Sequence, residues 1–359
     1  MTRRTRNSNS NGQINPPRDN AETERTCEPL PNPARIGHAP HGEVRIGRHA
    51  NAVSFQATFM AFLALTLMTL PLRQIEAGYA SIVIDTQSGA VLHETNADTQ
   101  NYPASLVKMM TLYLTFDALT RHRLQLDQRF EVSRRAVDMA PSRLGLRVGQ
   151  RIRAEEAILA LVTKSANDAA VVLAEALGGS EHKFAKMMND KARELGLTRT
   201  TFRNASGLPD RGQVSTARDM ATLGQALLRD FPQYYRVFSV TDFRYRDRTY
   251  HNHNRLLESY SGADGIKTGY TRASGFNLAA SVKRGEHRLI AVVFGGETAK
   301  SRDQHMVELL DRAFARINTV TNLASLNAPP SRDVIQASAQ NSLAPPDQGT
   351  DKAGASMGR

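Results

Sequence analysis

Tryptophan is absent from this 359-residue chain, aromatic residues make up only 6% of it, and it holds one cysteine, Cys27. A single cysteine excludes an intrachain disulfide framework. Cys27 also lies well before the apolar stretch that follows, which argues against a lipidated cysteine of the lipoprotein kind. Acidic residues are in deficit, 35 against 46 lysines and arginines, for a formal charge of +11. Such a balance suits nucleic acid, an anionic membrane surface or an acidic polymer. The basic residues are scattered, however, with no dense run and no interleaved aromatics, so nucleic acid is not an expected partner. A solvated basic surface and attraction to an anionic wall or membrane both remain open. The uncharged apolar run Phe59–Leu70 falls short of the ~20 residues a membrane-spanning helix needs.

Residues 1–50 are rich in Asn, Pro, Arg and Gly, carry no period of 2 or 3.6, and read as a disordered basic leader. The segment 51–77 reads as a secretory signal: Arg45, Arg48 and His49 form the basic flank, Phe59–Leu70 the apolar core, and Ala77, Gly78 and Ala80 small residues for cleavage. A buried helix and an uncleaved N-terminal anchor are the other readings of the same run. The length of the leader means either a long cytoplasmic extension or a true translation start further in, near Met60. Residues 321–359 are Ala, Ser, Pro, Gln and Asp without apolar period, and read as a disordered tail.

Between these ends, residues 78–320 carry folding signals. Tyr79–Asp85 reads as a strand, Gln87-Ser88-Gly89 as a turn and Ala90–Glu94 as the return strand. Helices are expected from Ser105 to about His122, from Glu155 to Leu177 with a break around Lys164–Asp168, from a Ser180 cap to Leu195, and from Thr216 to Arg229. Strands return at Gly265–Gly269, Gly275–Val282 and His287–Phe294, and a helix from about Lys300 to Ile317 follows. Strands at both ends with helices between them predict one α+β unit, its antiparallel sheet formed from both chain ends around a helical insert.

Three short elements carry chemistry. In Ser105-Leu106-Val107-Lys108, positions three apart share a helix face, so a hydroxyl meets an amine. The preceding Pro103 and Ala104 put the serine at a helix start, where the dipole favours developing negative charge. The lysine can take the hydroxyl proton only if burial or a second cation keeps its amine neutral. Ser165-Ala166-Asn167 supplies a hydroxyl to relay protons and an amide to hold a substrate amide. Lys267-Thr268-Gly269, at the start of an expected strand, offers a cation and a hydroxyl to a carboxylate, and a glycine against which a substrate backbone can lie. Each alone has a bland reading: a surface Ser and Lys, a helix cap, a charged strand end. Together, in this order and in these contexts, they match the S-x-x-K, S-x-N and K-T-G elements of penicillin-recognising serine enzymes.

The chain accordingly resembles the low-molecular-mass penicillin-binding proteins, the D-alanyl-D-alanine carboxypeptidases related to penicillin-binding proteins 5 and 6 (peptidase family S11). The likeness covers about Tyr79 to Asn318. It includes Tyr102–Thr111, Ser165–Ala170, Leu195-Gly196-Leu197 with Phe202, Asn204 and Gly207-Leu208, Ser215–Met220, and Asp264–Thr271. The resemblance implies a transpeptidase fold of the penicillin-binding protein/β-lactamase kind and removal of the terminal D-alanine from peptidoglycan pentapeptides. It assigns Ser105 to the acyl-enzyme, Lys108 to the general base, Ser165 to proton relay and Asn167 to the substrate amide. Lys267, Thr268 and Gly269 fall to substrate binding, with Lys267 and Thr268 on the terminal carboxylate. The backbone N–H of Ser105 and one from the Lys267 strand would form the oxyanion hole. No metal or cofactor is implied. The expected partners are peptidoglycan stem peptides and β-lactams, and the expected location is the periplasm or another extracytoplasmic site, with peripheral membrane or wall association open. Two departures stand out. No basic amphipathic helix follows Asn318, so the C-terminal membrane anchor of many relatives is not expected. Tyr270 also stands where some relatives carry His.

Two enzymes of the same chemistry are rivals. A class A β-lactamase needs a deacylating Glu in an E-x-x-L-N context, and Glu194-Leu195-Gly196-Leu197-Thr198 does not supply it. A D,D-endopeptidase that cuts cross-links uses the same residues and is left open. A non-enzymatic wall-binding protein on a decayed fold is disfavoured, because every motif residue is present.

Overall fold

The computed structural model describes residues 78–326. The basic leader, the signal-like segment and the tail beyond 326 lie outside the described residues.

β1 (Ala80–Asp85) turns at Ser88-Gly89 into β2 (Val91–Thr95), as the hairpin pattern predicts. β1 then pairs not with the next stretch of chain but with the far end of the fold. Ile82 of β1 faces Val292 of β9 (His287–Gly296) in antiparallel register. β9 pairs with β8 (Gly275–Arg284), and β8 with β7 (Ala263–Thr271), giving the order β2-β1-β9-β8-β7. The single antiparallel sheet expected from both chain ends is therefore present, and β7 is one of its edges.

These strands read as nearly continuous apolar runs because both faces of the sheet are covered. On β9, Ile290, Val292 and Phe294 point into the main core, whereas Leu289, Ala291 and Val293 point into a second one. On β1, Ile82 and Ile84 share the first face and Val83 the second. The period of two is thus kept while both phases are hydrophobic. Each buried aliphatic or phenyl side chain contributes about 1.5–3 kcal/mol.

The main core is closed by the helical insert, in which α1 (Lys108–Thr120), α2 (Ala154–Val162), α3 (Asn167–Gly178), α4 (Glu181–Glu194) and α5 (Ala217–Asp230) follow one another. Their ends obey local rules. Gly179 takes a left-handed conformation after α3, and the Ser180 hydroxyl then accepts the Lys183 N–H to cap α4. α5 lies close on the sheet because Gly224 leaves no side chain there; a Cβ would come 3.0 Å from Ile266 and 3.2 Å from Ile290. The second core is covered by α6 (Ala299–Leu326) through Met306, Leu309, Leu310 and Phe314. This helix continues past the Ile317 at which the periodicity ends. Among the described residues no helix is long and apolar enough to cross a membrane.

The sequence pattern gives no sign of two small sheets, β3 (Arg129–Glu131) with β4 (Arg151–Arg153) and β5 (Asp242–Tyr245) with β6 (Arg248–His251). Strands of three and four residues bear too little alternation to register as a period. Lys267 lies mid-way along β7 rather than at the start of a strand.

Candidate active site

Ser105 does not sit in α1 itself. Residues Ala104–Val107 form a 3₁₀ turn, and regular α-helix begins at Lys108. In a 3₁₀ turn residues i and i+3 eclipse, which brings Ser105 and Lys108 into closer alignment than an α-helix would. The Lys108 Nζ lies 3.2 Å from the Ser105 Oγ. It also donates to the Asn167 Oδ1 at 2.7 Å and to the Ser206 carbonyl. A neutral amine has two N–H groups and one lone pair. With both N–H groups spent on Asn167 and Ser206, the lone pair is left for the Ser105 hydroxyl.

The electrostatics favour that neutral form. Burial, then the positive charge of Lys267, hold Lys108 well below the ordinary lysine range, with Asp168 acting the other way as the smaller influence. Lys267 is itself buried and lowered to about 7, by desolvation first and the Arg302 guanidinium second. Its Nζ donates to the Thr268 carbonyl at 3.0 Å.

Ser165 adopts a left-handed backbone (φ 57°), an uncommon conformation for a residue with a side chain. Its Oγ is buried and has no hydrogen-bond partner among the described residues. A buried hydroxyl left unpaired beside a serine–lysine pair marks a place for a substrate group or a transferred proton. The turn that carries it is clamped to a loop the sequence reading passed over. Asn167 donates through Nδ2 to the Ala140 carbonyl and through its backbone N–H to that of Ser142, and the Ser142 hydroxyl donates to the Lys164 carbonyl. Asp168 accepts the backbone N–H groups of Leu144, Gly145, Leu146 and Ala169. Its carboxylate is consumed in holding the backbone of residues 144–146.

These elements meet in one cleft of about 580 Å³. Ser105, Ser165, Asn167, Thr268 and Gly269 line it, and Lys108 and Lys267 are buried behind its wall. All seven residues singled out in the sequence are thus gathered in one place. Gly269 earns its position by close approach: a Cβ there would come 3.1 Å from both the Pro103 carbonyl oxygen and the Ser105 nitrogen. Tyr270, 56% exposed, leans on the Phe276 ring at a centroid distance of 4.3 Å.

Among the cleft residues that sequence reasoning missed, two stand out for their charge state. Arg302, on α6, is 3% exposed, donates to the Asn277 carbonyl and pairs with Asp303, and still lines the cleft that Thr268 lines. Only the tertiary fold brings α6 there, and an arginine in an amphipathic helix gives no local signal. His253 is lowered to about 4 by desolvation and by Lys267, Lys164 and Lys108, in that order, so its imidazole is neutral at neutral pH. No Asp or Glu lines the cleft among the described residues, and Glu194 is paired with Lys191 on the surface.

Gly207 was named in the sequence without a role; the structure shows one. It has φ 85°, and a Cβ would lie 1.9 Å from the Ala104 carbonyl oxygen, one residue before Ser105. Gly207→Ala is expected to displace the 3₁₀ turn and lower the rate of Ser105 acylation by about 10²-fold, the cost of misplacing a reacting group by ~1 Å. Stopped-flow acylation with a chromogenic β-lactam checks this, with thermal unfolding as the control for folding. A rate within threefold of the unsubstituted protein would contradict the tight packing described.

A serine hydroxyl beside a buried lysine amine, at the front of a helix and next to the edge of an antiparallel sheet, is the arrangement of the penicillin-recognising serine proteins. A profile of the D-alanyl-D-alanine carboxypeptidase family matches residues 66–298, and the chain belongs to that family. It is 36% identical over 245 residues to the D-alanyl-D-alanine carboxypeptidase DacF of Bacillus subtilis, covering 67% of this chain and 63% of that protein. It is 39% identical over 249 residues to DacC of Escherichia coli, covering 67% and 62%. The match therefore spans less than two thirds of the length of these relatives. Among solved structures, penicillin binding protein 5 from Haemophilus influenzae superposes with a TM-score of 0.64 at 35% identity, over 68% of this chain and 73% of that one. Penicillin-Binding Protein D2 from Listeria monocytogenes, in its cefotaxime-bound form, gives 0.60 at 32% identity, over 66% and 96%. The transpeptidase fold inferred from the motifs is the fold observed.

Proposed function

We propose that this protein is a serine D-Ala-D-Ala carboxypeptidase that removes the terminal D-alanine of peptidoglycan pentapeptides. One observation carries the reading: a lysine-activated serine faces a cleft bounded by two buried cations, Lys267 and Arg302, whose wall among the described residues holds no carboxylate. Such a cleft takes an acyl donor that ends in a carboxylate.

In this reading Ser105 Oγ attacks the penultimate carbonyl carbon as Lys108 takes its proton. The peptide C–N bond breaks, the proton reaches the leaving D-alanine amine by way of the Ser165 hydroxyl, and an ester remains on Ser105. Asn167 orients the substrate amide while holding Lys108. Thr268, with the charges of Lys267 and Arg302 behind it, anchors the terminal carboxylate, and Gly269 lets the substrate backbone lie against β7. Water then hydrolyses the ester. A β-lactam would enter the same path, in line with the existence of a cefotaxime-bound form of the Listeria relative, but would find no free carboxylate to activate water. Asp168, near Lys108, is already saturated by backbone amides. Residues 78–320 would form the catalytic domain, preceded by the basic leader (1–50) and the signal-like segment (51–77) and followed by the tail (321–359). A substrate in the cell wall requires action outside the cytoplasm, with a role in peptidoglycan remodelling and cell shape.

Digestion of purified muropeptides tests the reading. Free D-alanine from monomeric pentapeptides is expected, with cross-linked dimers largely intact. Loss of dimers without that release would make the protein an endopeptidase. Nitrocefin turnover is expected to stop after about one equivalent, and sustained rapid hydrolysis would make it a β-lactamase.

A further inference from the structure

Basic residues without acidic partners gather on one rim of the cleft, and the mechanism makes no use of them. The β5–β6 hairpin carries Arg244, Arg246 and Arg248, all exposed, against Asp242 and Asp247. Asp242 is already engaged by the His251 ring at 2.5 Å. Arg147, also exposed, is tied to the hairpin through Gln150, whose side chain accepts the Arg147 N–H and donates to the Tyr245 hydroxyl at 2.6 Å. The Arg246 guanidinium lies over the same Tyr245 ring, 5.6 Å from its centroid. Lys164 Nζ stands 5.9 Å from the centre of the Tyr250 ring, and the Tyr250 hydroxyl donates to the Leu144 carbonyl. Arg147, Lys164, Arg244, Arg246 and Arg248 enter no ion pair among the described residues, whereas the neighbouring Arg153 pairs with both Glu155 and Glu156.

The same two segments build part of the cleft. Pro141 and Ser142 line it from the loop that leads to Arg147, and His251, Asn252 and His253 line it from the end of β6. Arg248 is three residues before His251, roughly 10 Å along the strand. Charges at that range act on groups just outside the cleft, and added salt screens them, because the Debye length falls from about 30 Å at 0.01 M to about 3 Å at 1 M. A rim of unpaired cations selects a polyanion. A polyanion covalently continuous with the cleft's occupant meets this rim at high effective concentration, without a second encounter.

We infer that this rim is a docking surface for the polymeric substrate, where Arg147, Arg246 and Arg248 attract the carboxylates of stem peptides that neighbour the one being cut. The inference rests on the carboxypeptidase reading above. It makes the protein an enzyme that works faster on the wall polymer than on its soluble fragments, and only while salt is low enough to leave the rim unscreened.

The test uses a triple variant, Arg147→Gln, Arg246→Gln and Arg248→Gln, with two readouts: co-sedimentation with purified pentapeptide-rich sacculi, and D-alanine release from those sacculi and from a soluble monomeric pentapeptide. At low salt the variant is expected to lose roughly fivefold in both sacculus readouts, the scale of three exposed ion pairs. Raising salt to about 0.5 M should cause the same loss in the unsubstituted protein. Release from the soluble pentapeptide and labelling by fluorescent penicillin should stay within about twofold, which also reports that the variant folds. Should the variant lose penicillin labelling, the salt series on the unsubstituted protein decides. Sacculus binding and release that respond to neither salt nor the substitutions overturn the docking surface and leave the carboxypeptidase reading standing. So does a variant that keeps its sacculus readouts but no longer sediments with phosphatidylglycerol vesicles, since the rim would then serve a membrane. Salt-dependent sedimentation with sacculi but no D-alanine release from either substrate keeps the surface and overturns the carboxypeptidase reading.

Discussion

Ser105→Ala is expected to abolish covalent labelling by fluorescent penicillin and to lower D-alanine release by roughly 10⁴-fold or more, the scale at which a covalent nucleophile is lost. The prediction has a competitor inside the same cleft. Ser165 also presents a hydroxyl there, and its Oγ is unpartnered among the described residues. The two differ in what lies beside them. The Lys108 amine sits 3.2 Å from the Ser105 Oγ, with both its N–H groups already directed to other acceptors. Ser165 has no base in hydrogen-bonding contact, and a serine hydroxyl without a base is a weak nucleophile. Mass spectrometry of the penicillin-treated protein should therefore place the adduct on the peptide that holds Ser105. An adduct on the Ser165 peptide, or labelling that survives in Ser105→Ala, would overturn the assignment.

Lys108→Arg is expected to reduce acylation by about 10³-fold, within the range for loss of a general base. Arginine stays protonated at any accessible pH, so it keeps the positive charge but removes the lone pair. The pH dependence separates the two roles. In the unsubstituted protein, burial and the Lys267 charge favour the neutral amine and bring the Lys108 pKa down from the ordinary lysine value. The base form thus grows as pH rises, and kcat/KM should climb on a limb lying well below that value. Because the two lysines interact, this limb belongs to the pair rather than to either residue. Lys108→Arg should flatten it. Lys267→Met, which removes the like charge, should move it toward higher pH. A residual activity in Lys108→Arg that keeps the original rising limb would show that another group is the base. His253 is one alternative, being neutral and on the cleft wall.

Much of this site is legible without coordinates, for a physical reason. Ser105 and Lys108 are three residues apart, so one helical turn suffices to join them. Lys267, Thr268 and Gly269 are consecutive, so one strand presents them. Gly179 and Ser180 announce the break between α3 and α4, because a left-handed conformation favours glycine and a helix start needs a side-chain acceptor. The both-faced burial of β8 and β9 is visible as two apolar phases in one strand. The roles that escaped notice are exerted at long range. Asp168 belongs to the second motif, yet its work is to bind backbone amides of residues 144–146. Arg302 comes from the last helix, and Gly207 matters because of a contact with Ala104 across the chain. No local pattern encodes such meetings.

The sequence by itself determined the motif residues, their order and the α+β architecture, since these depend on residue type and short-range period. Only the tertiary structure decided their chemical state. Lys108 is driven toward a neutral amine because the fold buries it beside Lys267, and Lys267 is lowered in turn by its own burial first and by the Arg302 that α6 carries toward it second. A pKa depends on desolvation and on charges a few ångströms away, and that distance is set by packing between segments far apart in the chain.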